Sequence, residues 1–101
     1  MAIKYYVYII KSVKSGRRYI GFTSDYKERL RKHNQGSNKS TKPYRPYRFI
    51  YIEKHESKTE ALKRELKLKS FKGGYNLKKL INSWDGGVVN HIPLSGTAYG
   101  Y

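Results

Sequence analysis

Apolar positions in this chain fall into short runs and helical stripes, which polar segments containing glycine or proline separate. Residues 5–10 are apolar and β-prone throughout, which predicts a central strand. The polar segment 12–17 contains Gly16 and predicts a hairpin loop. Residues 18–22 then form a second strand, antiparallel to the first, and residues 48–54 form a third.

The first predicted helix is marked at both ends. Asp25 and Glu28 have a D-x-x-E spacing that resembles a capping box, in which the Glu side chain reaches back to the cap. Gly36 is typical of the position that follows a helix. The helix is therefore predicted to run from Asp25 to about Gln35.

A second capping pattern, Ser57 with Glu60, opens a helix that is predicted to end at about Ser70. Two glycines break the chain after this helix, and residues 75–82 then predict a short last helix. Both helices follow the third strand, so the predicted elements come in the order β-β-α-β-α-α. Such an order predicts a small α+β domain.

The chain has 101 residues, which predicts one domain. We expect this domain to occupy residues 1–84. Residues 85–101 contain several glycines and no hydrophobic period, and they predict a loosely ordered C-terminal tail.

Net charge identifies the class of partner. The chain carries +15, from 22 Lys and Arg against 7 Asp and Glu. A charge of this size favours a polyanion, because each neutralised phosphate releases counterions. DNA is the expected partner and RNA is the second nucleic acid to consider. An anionic membrane surface is disfavoured, because no basic amphipathic helix with a broad apolar face is evident.

The location follows from what the sequence lacks. There is no cysteine, so disulfides and Cys-ligated zinc are excluded and a reducing setting is favoured. No apolar run approaches the roughly 20 residues that span a membrane, and the N-terminal residues show no signal-peptide pattern. We therefore expect a cytoplasmic protein.

Two tyrosines occupy matching positions on the first two strands. Because strand residues alternate between faces, Tyr8 and Tyr19 can lie together beside Gly21, where a bulky backbone could approach closely. The same arrangement buries four apolar side chains, those of Val7, Ile9, Ile20 and Phe22. The alternative is an ordinary tyrosine-rich strand pair with half-exposed phenols.

The first helix places two cationic residue types on one stripe. Tyr26 and Leu30 suit the core, and Arg29 and His33 border it one turn apart. An Arg at such a border can grip phosphate and stabilise charge that develops on it. The alternatives are a solvated helix face for Arg29 and a helix C-terminal cation for His33.

An acid interrupts the apolar stripe of the second long helix. Glu65 lies near the middle of that stripe, where a carboxylate is costly unless a cation meets it. The stripe itself is predicted from Ala61, Leu62, Leu66 and Leu68. A structural salt bridge and a divalent metal ligand both explain this Glu. The other acids fall mostly in caps, in loops or at element ends, which leaves few carboxylates for a two-metal site.

A basic loop with interleaved tyrosines, residues 36–48, leads into the third strand. We expect it to contact the nucleic-acid backbone through four cations, Lys39, Lys42, Arg45 and Arg48. A solvated basic loop is the alternative. Phosphate contacts do not distinguish bases, so weak sequence preference and strong salt dependence are expected.

Four groups of residues together resemble the GIY-YIG nuclease superfamily. They are Tyr6-Val7-Tyr8, Tyr19-Ile20-Gly21, Arg29-Leu30 with His33, and Glu65 after Ala-Leu-Lys-Arg. The chain looks most like the short stand-alone bacterial members and is similar to the catalytic N-terminal domain of the excinuclease UvrC. The resemblance covers about residues 5–79. One departure is that Tyr6 stands where the eponymous Gly usually does.

The resemblance implies a three-stranded antiparallel sheet flanked by helices. It also implies that Glu65 is the sole protein ligand of one Mg²⁺ or Mn²⁺ ion and that Arg29 clamps the phosphate. One of Tyr8 and Tyr19 is then the general base or water positioner, and His33 is an accessory residue. Members also use a late Asn, for which two residues are candidates, Asn76 and Asn82.

The expected function is a metal-dependent endonuclease that hydrolyses DNA phosphodiester bonds, associated with repair or recombination. Specificity would come from DNA shape, a protein partner or homo-oligomerisation. The alternative is a non-catalytic basic module that binds DNA or RNA and retains the fold.

Overall fold

The computed structural model describes residues 3–71 and 74–90, and every predicted helix and strand is present there. The elements are β1 (Tyr5–Ser12), β2 (Arg18–Thr23), α1 (Tyr26–Gln35), a 3-10 turn (Lys42–Tyr44), β3 (Tyr47–His55), α2 (Lys58–Ser70), α3 (Tyr75–Asn82) and β4 (Val89–Asn90). Within the described part of the chain, no helix has the length and apolarity needed to cross a membrane.

The sheet has four strands in the order β2-β1-β3-β4, and it is mixed. β1 pairs antiparallel with β2 and with β3, whereas β4 pairs parallel with β3 through Glu53↔Val89 and Lys54↔Asn90. The prediction of a three-stranded antiparallel sheet was therefore wrong. β4 has only two residues, too few for a period, and it lies within the predicted tail. The rest of that tail, residues 91–101, lies outside the described residues.

Alternate residues of the central strand β1 pack into two different layers. Val7 and Ile9 are fully buried on one face, against α2 and α3. Tyr8 and Ile10 are buried on the other face, with Leu30 of α1 packed against them. Both faces of β1 are covered, which explains why its apolar residues run without interruption.

The predicted caps determine where the helices begin and end. The side chain of Asp25 accepts a hydrogen bond from the backbone N–H of Glu28, and Ser57 caps α2 in the same way. Glu28 does not reach back to its cap, because it pairs with Arg31. Gly36 ends α1 with a φ of 87°, in the left-handed region that glycine tolerates best.

The buried face of α2 is centred on its acid. Ala61, Glu65 and Leu68 are the buried residues of this helix, and their i, i+4, i+7 spacing places them on one stripe. Leu62 and Leu66 are 41% and 58% exposed, so their assignment to the apolar stripe was wrong. The buried stripe of α2 therefore contains one leucine, Leu68, together with an alanine and a carboxylate.

A second buried acid, which the sequence did not distinguish, ties α2 to the sheet. The carboxylate of Glu53 accepts hydrogen bonds from Tyr51 Oη at 2.5 Å, His55 Nε2 at 2.6 Å and Arg64 Nε at 2.8 Å. Burial by itself would raise the pKa of Glu53, but the bonds from His55, Arg64 and Tyr51 outweigh burial and lower the pKa. Arg64 precedes Glu65, so this contact also fixes the rotation of α2.

We predict that Arg64→Met costs about 3 kcal/mol of unfolding free energy, because it leaves the buried Glu53 carboxylate without its cation. Urea unfolding measures the loss. Arg31→Met is the matched control, since it removes an exposed ion pair with Glu28 that should contribute little. Equal losses in the two variants would contradict this account.

Candidate functional site

The hydroxyl of Tyr8 is the centre of the candidate site. Tyr8 is 2% exposed, and its Oη lies 3.1 Å from Nε2 of His33. Gly21 lies opposite Tyr8 across β1 and β2, and a Cβ on it would lie 2.6 Å from that Oη. The sequence suggested that a bulky backbone could approach this glycine closely. In the structure it makes room for the phenol instead.

His33 connects the tyrosine to the basic loop. Its Nδ1 lies 2.9 Å from Oγ1 of Thr41, whose hydroxyl can donate to the carbonyl of Asn38 at 3.4 Å. Thr41 then accepts from Nδ1–H, which leaves Nε2 to accept from the hydroxyl of Tyr8. This tautomer is inferred from the hydrogen-bond network.

His33 lies in the last turn of α1, but its surroundings disfavour the helix C-terminal cation of the alternative interpretation. It is 1% exposed, and burial followed by the nearby Arg29 cation lowers the pKa of its imidazole. Both effects disfavour the charged form. The environment of His33 therefore disfavours the imidazolium, and the hydrogen-bond network assigns Nε2 as the acceptor from the Tyr8 hydroxyl.

Tyr19 lies at the outer side of the same cluster and is only partly buried. Its ring centroid is 4.9 Å from that of His33 and 6.2 Å from that of Tyr8. The structure therefore brings both tyrosines and the histidine together. Of the two phenols, Tyr19 is the more accessible to a ligand.

Arg29 and Glu65 approach the cluster from helices on opposite faces of the sheet. Burial, Tyr19 and the Glu65 carboxylate raise the pKa of the Tyr8 phenol, whereas the Arg29 cation opposes that rise. Both charges therefore act on the same hydroxyl. Arg29 is exposed on α1, which leaves its guanidinium accessible to an anion.

The Glu65 carboxylate is mostly buried and pairs with a lysine of its own helix. Its side chain is 11% exposed, and its carboxylate faces Lys69 Nζ at 3.4 Å, a long ion pair with a half-exposed partner. Among residues 3–71 and 74–90, no group of three or more His, Cys, Asp or Glu side chains converges on a metal position. A hard cation here would take one carboxylate and complete its shell with water and phosphate oxygens, as Mg²⁺ commonly does.

The basic loop is held in place at both ends. Asn34 bonds the backbone of Tyr47 twice, accepting from its N–H at 2.7 Å and donating to its carbonyl at 3.2 Å. Thr41 is buried beside His33. The four predicted contact residues, Lys39, Lys42, Arg45 and Arg48, all remain exposed.

The asparagines that support the cluster are not the ones that the sequence suggested. Asn76 and Asn82, the candidates for a late site residue, are exposed on α3, and within the described residues neither hydrogen-bonds to the tyrosine–histidine cluster. Asn34 and Asn38 support the cluster and the loop instead, and the sequence did not single them out. Their role depends on contacts between distant segments, which no local motif reveals.

Comparisons with known proteins identify the family to which this chain is similar. A sequence model described as the GIY-YIG catalytic domain matches residues 4–77. A UPF0213 protein of Staphylococcus saprophyticus is 43% identical over 76 residues, which cover 74% of this chain and 92% of that protein. A UPF0213 protein of Staphylococcus aureus is 43% identical over 68 residues, covering 66% and 82%.

A solved structure is also similar. The solution NMR structure of the UPF0213 protein BH0048 from Bacillus halodurans has 32% sequence identity, and the match covers 79% of this chain and 97% of that one. The TM-score is 0.40.

The position of Arg29 can be tested through His33. We predict that the His33 ring titrates below the usual pKa of about 6.5 and that Arg29→Met moves this pKa upward, because a nearby cation is removed. NMR titration of the ring protons measures both values. Lys32→Met removes the same charge beside His33 in the chain and is the control. A pKa that responds equally to the two variants would refute the proximity of Arg29.

Proposed function

This chain belongs to the GIY-YIG family, and from that premise we propose that it is a metal-dependent endonuclease that hydrolyses DNA phosphodiester bonds. The observation that carries the proposal is the convergence on one buried hydroxyl. Tyr8 Oη lies 3.1 Å from Nε2 of the buried His33, and the Arg29 guanidinium and the Glu65 carboxylate, on separate helices, act in opposite directions on the pKa of its phenol. Hydrolysis of a phosphodiester needs a proton acceptor, a cation for the developing charge and an oriented water.

The proton acceptor is the Tyr8–His33 pair. Within the described residues the Tyr8 hydroxyl hydrogen-bonds to His33, so a lone pair of the Tyr8 oxygen can accept from water. As the water oxygen attacks phosphorus, its O–H bond breaks toward Tyr8 Oη and the proton of Tyr8 passes to Nε2. The phosphorus–oxygen bond to the leaving sugar then breaks, the leaving oxygen takes a proton from solvent water, and the extra proton on His33 returns to solvent. A free phenolate, which burial disfavours, is never needed.

Arg29 stabilises the charge that builds on the phosphate. Its exposed guanidinium can donate two parallel hydrogen bonds to phosphate oxygens. Glu65 is the residue that would hold a Mg²⁺ or Mn²⁺ ion. Such an ion, when bound, supplies Lewis-acid stabilisation to the phosphate oxygens.

Tyr19 positions the attacking water or the phosphate rather than taking the proton. It is the more exposed of the two phenols and lies at the mouth of the cluster. Tyr8 is assigned the proton because its hydroxyl is hydrogen-bonded to His33, which can act as the base. Tyr19→Phe should therefore be the milder of the two substitutions.

The substrate class follows from the charge and from the family. We assign DNA as the substrate and the exposed cations of the basic loop as backbone contacts, which give weak sequence preference. A role in repair or recombination is consistent with an enzyme that recognises DNA shape, and a partner protein or a second copy would supply further selectivity.

Incubation with supercoiled plasmid, branched DNA and structured RNA, in Mg²⁺, Mn²⁺ or EDTA, tests this function. We predict metal-dependent cleavage of DNA. Glu65→Ala should abolish it with DNA binding retained, and Tyr8→Phe should slow it by about 10² or more, the usual range for a lost acid–base group.

The controls are the exposed residues Glu60 on α2 and Tyr75 on α3. Glu60→Ala and Tyr75→Phe should cleave like the wild type. If Glu65→Ala and Glu60→Ala are equally active, Glu65 does not take part in the reaction. If the wild type binds DNA or RNA and cleaves neither with any metal, the protein is a non-catalytic binding module.

A further inference from the structure

Three cations lie side by side across the sheet. Lys11 of β1 pairs with Arg18 of β2 and with Arg48 of β3, so all three side chains leave the same face of the sheet at the same level. Like charges directly opposite each other destabilise a sheet. A row of this kind therefore favours a ligand that neutralises it.

The acids of the chain lie elsewhere. Residues 11–18, which hold the row's first two members and the β1–β2 hairpin, contain no Asp or Glu, and neither do residues 36–48. Glu53 pairs with Val7, four residues before Lys11 on β1, and His55 pairs with Tyr5 at the opposite end of the strands. Positive charge is thus concentrated at the hairpin end of the sheet.

The hairpin and the basic loop are joined into one surface. The backbone N–H of Val13 donates to the carbonyl of Pro46 at 2.9 Å, and the hydroxyl of Ser12 donates to the carbonyl of Tyr44. The guanidinium of Arg17 lies over the Tyr44 ring, 4.3 Å from its centroid. We call this surface, residues 11–18 with 42–48, the hairpin-end platform.

A shallow depression in the platform is lined by Lys14, Lys42, Pro43 and Arg45. Gly36 lies against it, where a Cβ would be 2.9 Å from Arg45 Nη1 and 3.1 Å from Lys42 Cγ. Within the described residues, none of these three cations has a carboxylate within ion-pair distance. Three unneutralised cations around one depression suit a phosphate group.

We propose that the hairpin-end platform binds the sugar–phosphate backbone of a nucleic acid beside the phosphate that is cleaved. The platform adjoins the candidate site through the basic loop, since Lys42 follows Thr41, whose Oγ1 lies 2.9 Å from Nδ1 of His33. Its placement beside the cleaved phosphate rests on the proposed function, whereas backbone binding itself does not.

A nucleic acid fits this surface better than a membrane does. Several cations in a row and around a depression suit a ligand that carries many phosphates, whereas membrane-surface binding also needs broad apolar area to insert. Among the described residues of the platform, one large hydrophobic side chain is exposed, that of Val13 at 64%. This is too little apolar area for insertion into a membrane.

The test compares two triple variants that lose the same charge. The platform variant carries Lys14→Ala, Lys42→Ala and Arg45→Ala, and the control carries Lys27→Ala, Lys58→Ala and Lys63→Ala, all exposed positions on α1 or α2. Fluorescence anisotropy with a labelled DNA duplex, in EDTA, measures affinity against salt concentration without cleavage. Matching thermal unfolding curves establish that both variants fold.

We expect the platform variant to lose more than about 10-fold in affinity relative to the control. Its log–log salt slope should fall by about 2.7, which is about 0.9 for each of three lost phosphate contacts. Equal affinities and slopes in the two triples overturn the proposal. So does a platform variant that loses binding to phosphatidylserine vesicles and keeps its binding to DNA.

The design separates this proposal from the nuclease. Wild-type protein that binds through the platform but never cleaves in Mg²⁺ or Mn²⁺ refutes only the proposed function. Protein that cleaves, but whose two triple variants bind alike, refutes only the platform.

Discussion

The need to satisfy one buried hydroxyl organises this molecule. Tyr8 lies on the central strand and is almost fully covered, so its O–H requires a hydrogen-bond partner. His33 provides it from α1, and Thr41 fixes the imidazole from the basic loop. Gly21 leaves the space that the phenol fills. A strand, a helix, a hairpin and a loop are thereby held around one oxygen atom.

A second buried polar group holds the other layer. Glu53 binds Arg64, and this contact fixes how α2 lies on the sheet and therefore where the adjacent Glu65 points. One polar cluster thus places the imidazole on one face of the sheet, and another places the carboxylate on the opposite face. Charges from both helices act on the same phenol. The candidate chemistry depends on the two layers being fixed independently.

Local signals predicted the helices and the first three strands, because caps such as Asp25 and Ser57 act within four residues. The anomaly at Glu65 was also visible, since a carboxylate on a buried stripe breaks the helical period. Contacts between distant segments were not predictable. Glu53 resembled an ordinary strand-end acid, Thr41 an ordinary loop residue, and the two residues of β4 carry no period. Leu62 and Leu66 were wrongly assigned to the buried stripe, because composition does not show how a helix is rotated about its axis.

The most direct test of a one-metal site at Glu65 beside the tyrosines is paramagnetic broadening by Mn²⁺, followed by NMR of the aromatic side chains. We predict that substoichiometric Mn²⁺ broadens the ring signals of Tyr8, Tyr19 and His33, leaves those of Tyr75 sharp, and has no such effect in Glu65→Gln. Broadening that persists in Glu65→Gln, or that spares the Tyr8 ring, would contradict the account.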